Sequence, residues 1–269
     1  MLAAPWRLIR SGRLPGPRTM AIDEALLSCF DPHCSTPVLR LYGWSPPALS
    51  VGRFQDAATI DLERCRELGV PVVRRVTGGG AIYHAEELTY SLVCAPHHLP
   101  PAATIKETFR VLTGFLLGFY RGLGLSAGYA VESAPPGARL GERTPFCFAG
   151  HESYDILVEG KKIGGNAQRR QREVIFQHGS IPLADSLATA MQLVREHPAG
   201  LAGMVTDLGR LGVTAAPEEL EARLAEAFAA NLGVELVADG LTAEEAARAD
   251  ALAAGKYGSD GWNLRGEEP

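Results

Sequence analysis

Two periods of apolar spacing alternate along this chain, and the switches between them mark its elements. After a Pro- and Gly-rich lead-in, residues 19–30 (TMAIDEALLSCF) repeat apolar positions at helical spacing behind Thr19 as N-cap, which predicts a helix. The period then drops to two. VLRLYGW and ALSVGRFQ alternate around a turn at residues 45–47 and predict two strands with a tight connection. A short helix at 60–68 is closed by Gly69, and VPVVRRV predicts a strand running into Thr77-Gly78-Gly79-Gly80. AIYH and LTYSLVCA predict the next strands, so that two strands flank the glycines. Residues 105–123 carry an apolar face at helical period, a long buried helix ended by Gly124. The polar, turn-rich stretch 133–145 predicts a mobile surface loop, and YDILVEG with KKIGGNAQ predicts a hairpin turning at Glu159-Gly160. VIFQHGSIPL predicts one more strand. From residue 186 onward helical spacing takes over, notably at 217–232 and at 242–254, the latter opened by the capping box Thr242-Ala-Glu-Glu245.

This order predicts an α+β fold of mixed, largely antiparallel sheets flanked by helices. With 46% hydrophobic residues over a length of 269, the chain can bury a sizeable core, and no repeat or low-complexity linker divides it, so a single domain over 1–269 is expected. Charge narrows the partners. A net charge of −5 argues against a protein that coats nucleic acid, which needs a basic surplus to neutralise phosphates. No apolar run approaches the roughly 18–20 residues of a membrane span, and the first residues lack a signal peptide's apolar stretch, so a cytoplasmic location is expected. The five cysteines (Cys29, Cys34, Cys65, Cys94, Cys147) are odd in number and without CxxC spacing, which points to thiols in a reducing compartment and gives no support for a metal.

Three stretches can carry chemistry. In RRVTGGGAIYH (74–84) three successive glycines let a backbone approach a ligand closely, though they read equally as a tight turn; Arg74, Arg75 and His84 flank them. The spacing matches neither a Walker loop nor a dinucleotide fingerprint. In KKIGGNAQRRQ (161–171) alternation predicts Lys162, Gly164 and Asn166 on one strand face, and an exposed hairpin with charged flanks is the plainer alternative. Only four of the 26 basic residues are lysines (Lys106, Lys161, Lys162, Lys256), so a lysine within a motif is informative. Arg169, Arg170 and Arg172 form a basic cluster that reads as solvated surface or as a seat for an acidic partner. Cys147 emerges from a polar loop between aromatics; it is a buried inert thiol unless a neighbouring ammonium, for which Lys162 is the candidate, favours its thiolate. His84 and His178 are strand histidines, structural or catalytic. No GxSxG supports a serine hydrolase.

In combination, RRVTGGGAIYH followed by LTYSLV, GKKIGGNAQRRQREVIFQHGSI and KYGSDGWNLR resembles the lipoate-protein ligase and octanoyltransferase family over about residues 20–262. The resemblance implies a catalytic domain similar to that of biotin protein ligase, handling octanoyl or lipoyl groups destined for a lysine amine. Cys147-Phe148 before the Lys162 motif resembles the octanoyltransferases of the LipM type. The LipB type places its cysteine after the lysine motif, where this chain has none. A bacterial ligase's additional C-terminal domain is not expected after KYGSDGWNLR, and the C-terminal helices at 217–254 belong to the single domain.

The resemblance further implies roles. Cys147 is the nucleophile that carries an acyl thioester, and Lys162 lowers its pKa. Arg75, Gly78, Gly79, Gly80, Tyr83, His84, Gly164, Gly165, Ala167 and His178 bind acyl group or substrate, with Val76, Ile82 and Ile163 candidates for an apolar slot. No cofactor and no metal is required, because the octanoyl group arrives activated on the phosphopantetheine arm of acyl carrier protein. The acceptors are lipoyl-domain proteins, such as glycine cleavage H protein or 2-oxoacid dehydrogenase E2. No nucleic acid or membrane partner is expected, and without an evident apolar seam the chain is expected to be a monomer. Two positions depart from the family: Ala85 follows His84 where the ligases have Asp, and Asn166 replaces a hydroxyl residue. An ATP-dependent ligase, an amidotransferase between lipoyl domains and a noncatalytic lipoyl-domain binding module are the alternatives.

Overall fold

The computed structural model describes residues 5–133 and 152–269. Thirteen strands appear among them: β1 Trp6–Leu14, β2 Val38–Trp44, β3 Ala48–Val51, β4 Val72–Arg74, β5 Ile82–His84, β6 Glu87–Cys94, β7 Ala127–Tyr129, β8 Ile156–Val158, β9 Lys161–Ile163, β10 Gly165–Gln171, β11 Val174–Pro182, β12 Val205–Thr206 and β13 Leu236–Asp239. The helices are α1 Gly16–Cys29, α2 Leu62–Glu67, α3 Ile105–Gly122, α4 Ala130–Ser133, α5 Leu187–Gln192, α6 Leu201–Met204, α7 Pro217–Leu232 and α8 Ala243–Leu252. Two π-helical turns, Ala253–Tyr257 and Gly261–Arg265, follow α8.

A six-stranded sheet in the order β10-β11-β6-β2-β1-β13 organises the fold; it is antiparallel from β10 to β2 and parallel from β2 to β13. Strand alternation sends Leu39, Leu41, Tyr90, Leu92 and Ile175 to one face, where α3 and α7 cover them. Val38, Tyr42, Trp44, Val93 and Phe176 go to the other face, against α1 and α8. Smaller sheets, β4-β3-β5 and β12-β9-β8-β7, complete the α+β architecture with both strand directions, as expected.

Local sequence explains most boundaries. Thr104 accepts from the Glu107 amide and Glu107 reaches back to cap α3, and Thr242 with Glu245 does the same for α8. The hairpin between β8 and β9 turns at Glu159 and Gly160 with φ of 52° and 76°, the left-handed pair its two-residue loop requires. Helix α1 begins three residues before the expected Thr19, because Pro17 sits in its first turn, where a missing N–H costs nothing. The lead-in, to which the sequence pattern assigns no element, forms strand β1.

One expectation is corrected in a way that matters to the site. Lys162 and Asn166 do not share a strand face. Gly164, at φ 77°, breaks the run, leaving Lys162 on β9 of the four-stranded sheet and Asn166 on β10 of the six-stranded one. Its left-handed backbone suits glycine, and an added Cβ would lie 2.1 Å from the Ser180 carbonyl oxygen.

Candidate active site

Where the β4-β3-β5 sheet meets the β10-β11-β6-β2 edge, a cavity opens that is partly continuous with solvent. Met20, Tyr42, Trp44 and Ile82 supply apolar walls. Ser50, Arg75, His84, Thr89 and His178 supply polar atoms, and Gly78, Gly79, Gly165 and Gly179 supply bare backbone.

Two buried polar networks hold these side chains. In the first, His84 Nδ1 lies 2.7 Å from Glu87 Oε1 and Nε2 lies 2.7 Å from Ser50 Oγ, while the Trp44 ring stacks on the imidazole at 3.9 Å between centroids. Ser180 and Thr89 also donate to Glu87, at 2.6 and 2.5 Å. Burial alone raises the Glu87 pKa, but His84 and these donors outweigh it and hold the carboxyl below its usual range. In the second, Arg40, Ser91 and Tyr42 donate to Asp23 at 2.6, 2.7 and 2.9 Å, and His178 Nδ1 faces the same carboxylate at 3.7 Å. Burial opposes ionisation of Asp23, yet Arg40 and His178 leave its pKa lowered. His178 Nε2 meets Thr77 Oγ1 at 2.7 Å, and burial lowers the imidazole pKa so that the neutral ring is favoured.

The glycine turn is held from behind. Arg75 donates to the carbonyls of Gly78 and Gly80, both at 2.8 Å, and to Ser50. Gly79 has φ 97°, and Gly52 packs so closely that a Cβ there would lie 2.0 Å from the Gly79 oxygen. Arg74 points away from the cavity. Its guanidinium donates to carbonyls of Gly52, Arg53, Gln55, Trp262 and Leu264, tying the turn to the C-terminal WNL segment.

The family described as the lipoyl protein ligase A/B catalytic domain matches residues 15–229. The chain belongs to this family. Relatives within it include the octanoyltransferase LipM of Geobacillus kaustophilus, 38% identical over 97% of this chain and 98% of its own length, and that of Bacillus subtilis, 35% identical over the same shares. Among solved structures, lipoate-protein ligase A bound with ATP superposes with a TM-score of 0.82 at 26% identity, covering 97% of this chain and 98% of that one. Protein Ta0514 from T. acidophilum with bound lipoic acid superposes with a TM-score of 0.80 at 25% identity, over 97% and 99%.

Of the residues expected from the family motifs, Arg75, Gly78, Gly79, His84, Gly165, Ala167 and His178 line the one cavity. Gly80 and Gly164 support it through their backbones. Tyr83 instead faces a neighbouring cavity of about 490 Å³, with Ala85, Glu86, Glu87, Asp185, Asp207 and Arg210 among its walls. Ile82 lines this cavity, whereas Val76 and Ile163 are core. Lys162 is buried and pairs with Asp155 at 2.7 Å, a partner sequence reasoning missed. Cys147 lies outside the described residues. Ser50, Glu87 and Asp23 were also missed, and a carboxylate inside the apolar face of α1 was the one available signal. Among the described residues, no three His, Cys, Asp or Glu side chains gather as a metal site, and no helix is long and apolar enough to cross a membrane.

Proposed function

We propose that this protein transfers an octanoyl group from octanoyl-acyl carrier protein to the lysine of a lipoyl domain in lipoate biosynthesis, through a thioester on Cys147. The observation that carries the reading is the likeness to octanoyltransferases at 34–39% identity over 97% of the chain. The cavity supports it, with apolar walls for an acyl chain and a polar end for its carbonyl. So does the chemistry of the other thiols: burial raises the pKa of Cys29 and Cys94 and pushes Cys65 up to about 11, and the Asp31 carboxylate raises that of Cys34. None of these four lines the cavity.

In this scheme the Cys147 thiolate, favoured by the Lys162 ammonium, attacks the carrier thioester, and the acceptor amine then attacks the octanoyl-enzyme. Backbone N–H groups at Gly78–Gly80 and Gly164–Gly165 serve the thioester oxygen. Exchange of one thioester for another followed by amide formation needs neither ATP nor metal. The protein acts as a single-domain cytoplasmic monomer, with glycine cleavage H protein or a 2-oxoacid dehydrogenase E2 as acceptor.

The second reading, an ATP-dependent ligase, has in its favour the likeness to lipoate-protein ligase A bound with ATP. The neighbouring cavity lends it no support: among the described residues its walls include Glu86, Glu87, Asp185 and Asp207 beside Arg210, a lining that does not favour phosphates. The test is acylation of a lipoyl domain from octanoyl-acyl carrier protein without ATP, beside free octanoate with ATP. Product only in the first supports the transferase; product only in the second moves the assignment to the ligase.

A further inference from the structure

Ser50, His84 and Glu87 come from three different strands or strand ends and form one continuous hydrogen-bonded chain: Glu87 Oε1 to His84 Nδ1 at 2.7 Å, and His84 Nε2 to Ser50 Oγ at 2.7 Å. All three are buried or nearly so, and both Ser50 and His84 line the cavity between the sheets. The partners assign the tautomer. An ionised Glu87 only accepts, so Nδ1 carries the proton, and the Nε2 lone pair is left to accept the Ser50 O–H. Arg75 Nη1, 3.2 Å from Ser50 Oγ, donates to that oxygen and turns its hydrogen toward the ring. Trp44 stacked on one face of His84, and Thr89 and Ser180 donating to Glu87, leave the ring a single orientation. A nucleophile or hydroxyl, a base within hydrogen-bond reach and a third group orienting the base make the signature of an acid–base unit.

We propose that Glu87–His84–Ser50 is the proton relay of the second half-reaction, taking the proton that the acceptor lysine must lose as it attacks the octanoyl-enzyme. The inference rests on the Cys147 thioester of the proposed function. The acceptor amine, with a pKa of about 10.4, arrives as an ammonium and loses a first proton to solvent. Its nitrogen then bonds to the octanoyl carbonyl carbon, giving an adduct whose second surplus proton passes to Ser50 Oγ while the Ser50 proton passes to His84 Nε2. The carbon–sulfur bond breaks, the amide forms, and the imidazolium, held beside Glu87, returns its proton to the departing Cys147 thiolate. The first half-reaction exchanges one thioester for another and involves no amine, so it does not need the relay.

The test separates the halves. Native protein, Glu87→Gln and His84→Gln are loaded from octanoyl-acyl carrier protein, loading is read by intact mass, and discharge of the isolated octanoyl-enzyme is timed with a lipoyl domain and with dithiothreitol, a small thiol whose attack brings no amine proton. Both variants should load, discharge to the lipoyl domain at least about 100-fold more slowly than native, as loss of a general base predicts, and exchange with dithiothreitol at close to the native rate. Discharge to the lipoyl domain at the native rate would overturn the relay, as would an equal loss toward amine and thiol, which marks a structural role. If a variant fails to load, Ser50→Ala, which removes only the terminal hydroxyl, must show the same split between amine and thiol or the relay is wrong. Failure of the native protein itself to load refutes the acyl-enzyme reading, and with it the relay, whereas normal loading with unchanged discharge refutes the relay alone.

Discussion

Gly52 lies outside the triple glycine and outside the cavity wall, yet a single methyl group there would meet the glycine turn head-on. Its φ is one that any residue adopts, so Gly52→Ala introduces no backbone strain of its own. The new Cβ would stand 2.0 Å from the Gly79 oxygen, where at least 3.0 Å is needed, so the turn must retreat by about 1 Å. Gly79 lines the cavity, and its neighbours Gly78 and Gly80 are both bonded to Arg75, which also holds Ser50. The displacement is therefore passed to the polar end of the cavity. A misplacement of that size costs on the order of 100-fold in rate, whereas overpacking of this kind costs about 1–3 kcal/mol of stability. Against a total of roughly 5–15 kcal/mol the protein still folds. Initial rates of octanoyl transfer to a lipoyl domain, with circular dichroism and a melting curve on the same samples, give both numbers. A folded Gly52→Ala protein transferring at the native rate would refute the claim that the glycine turn's position sets the reaction geometry.

Other substitutions probe the frame. Gly118 is exposed in α3, and a Cβ there would make only a 4.0 Å contact with Ala227, so Gly118→Ala should stabilise by about 0.5–1 kcal/mol in urea unfolding without changing transfer. Asp23→Ala leaves Arg40 buried without its carboxylate and should cost about 3–5 kcal/mol in the same assay; a much smaller loss would mean that the guanidinium finds another partner. His178 is kept neutral first by burial and then by Arg75 and His84, against the pull of Asp23, so its folded pKa lies below the unfolded value of about 6.5. As pH falls below that value the unfolded chain takes up the proton first, so stability drops toward the folded pKa by up to about 1.4 kcal/mol per pH unit. The drop should be present in the native protein, less so in His178→Gln, and absent from the difference between them above about pH 7.5.

The long elements were legible because periodicity acts locally: α3, α7, the strand from residue 174 and the capped α8 each declare themselves within a dozen or so residues. Strand β13 was not legible, since three of its four residues are exposed and it is held by parallel pairing with β1, more than two hundred positions away. The break at Gly164 was also silent, because alternation continues through a glycine whatever its φ. At the site, Arg75, His84, His178 and the glycines could be read from short motifs. Asp23, Ser50 and Glu87 could not. Each fits its own helix or strand as an ordinary polar residue, and only the meeting of α1, β3 and β6 around one cavity gives them partners. Asp155 was missed for a more local reason: it stands just before β8, and the hairpin register that pairs Leu157 with Lys162 is what brings its carboxylate to the ammonium.

The central claim is an octanoyl group carried on Cys147. Its most direct test is the intact mass of the protein after incubation with octanoyl-acyl carrier protein in the absence of ATP, beside Cys147→Ala. The account predicts one octanoyl adduct on the native chain, none on the variant, and its disappearance when a lipoyl domain is added. An adduct that persists in Cys147→Ala, or a native chain that never acquires one while still acylating the lipoyl domain, would contradict it.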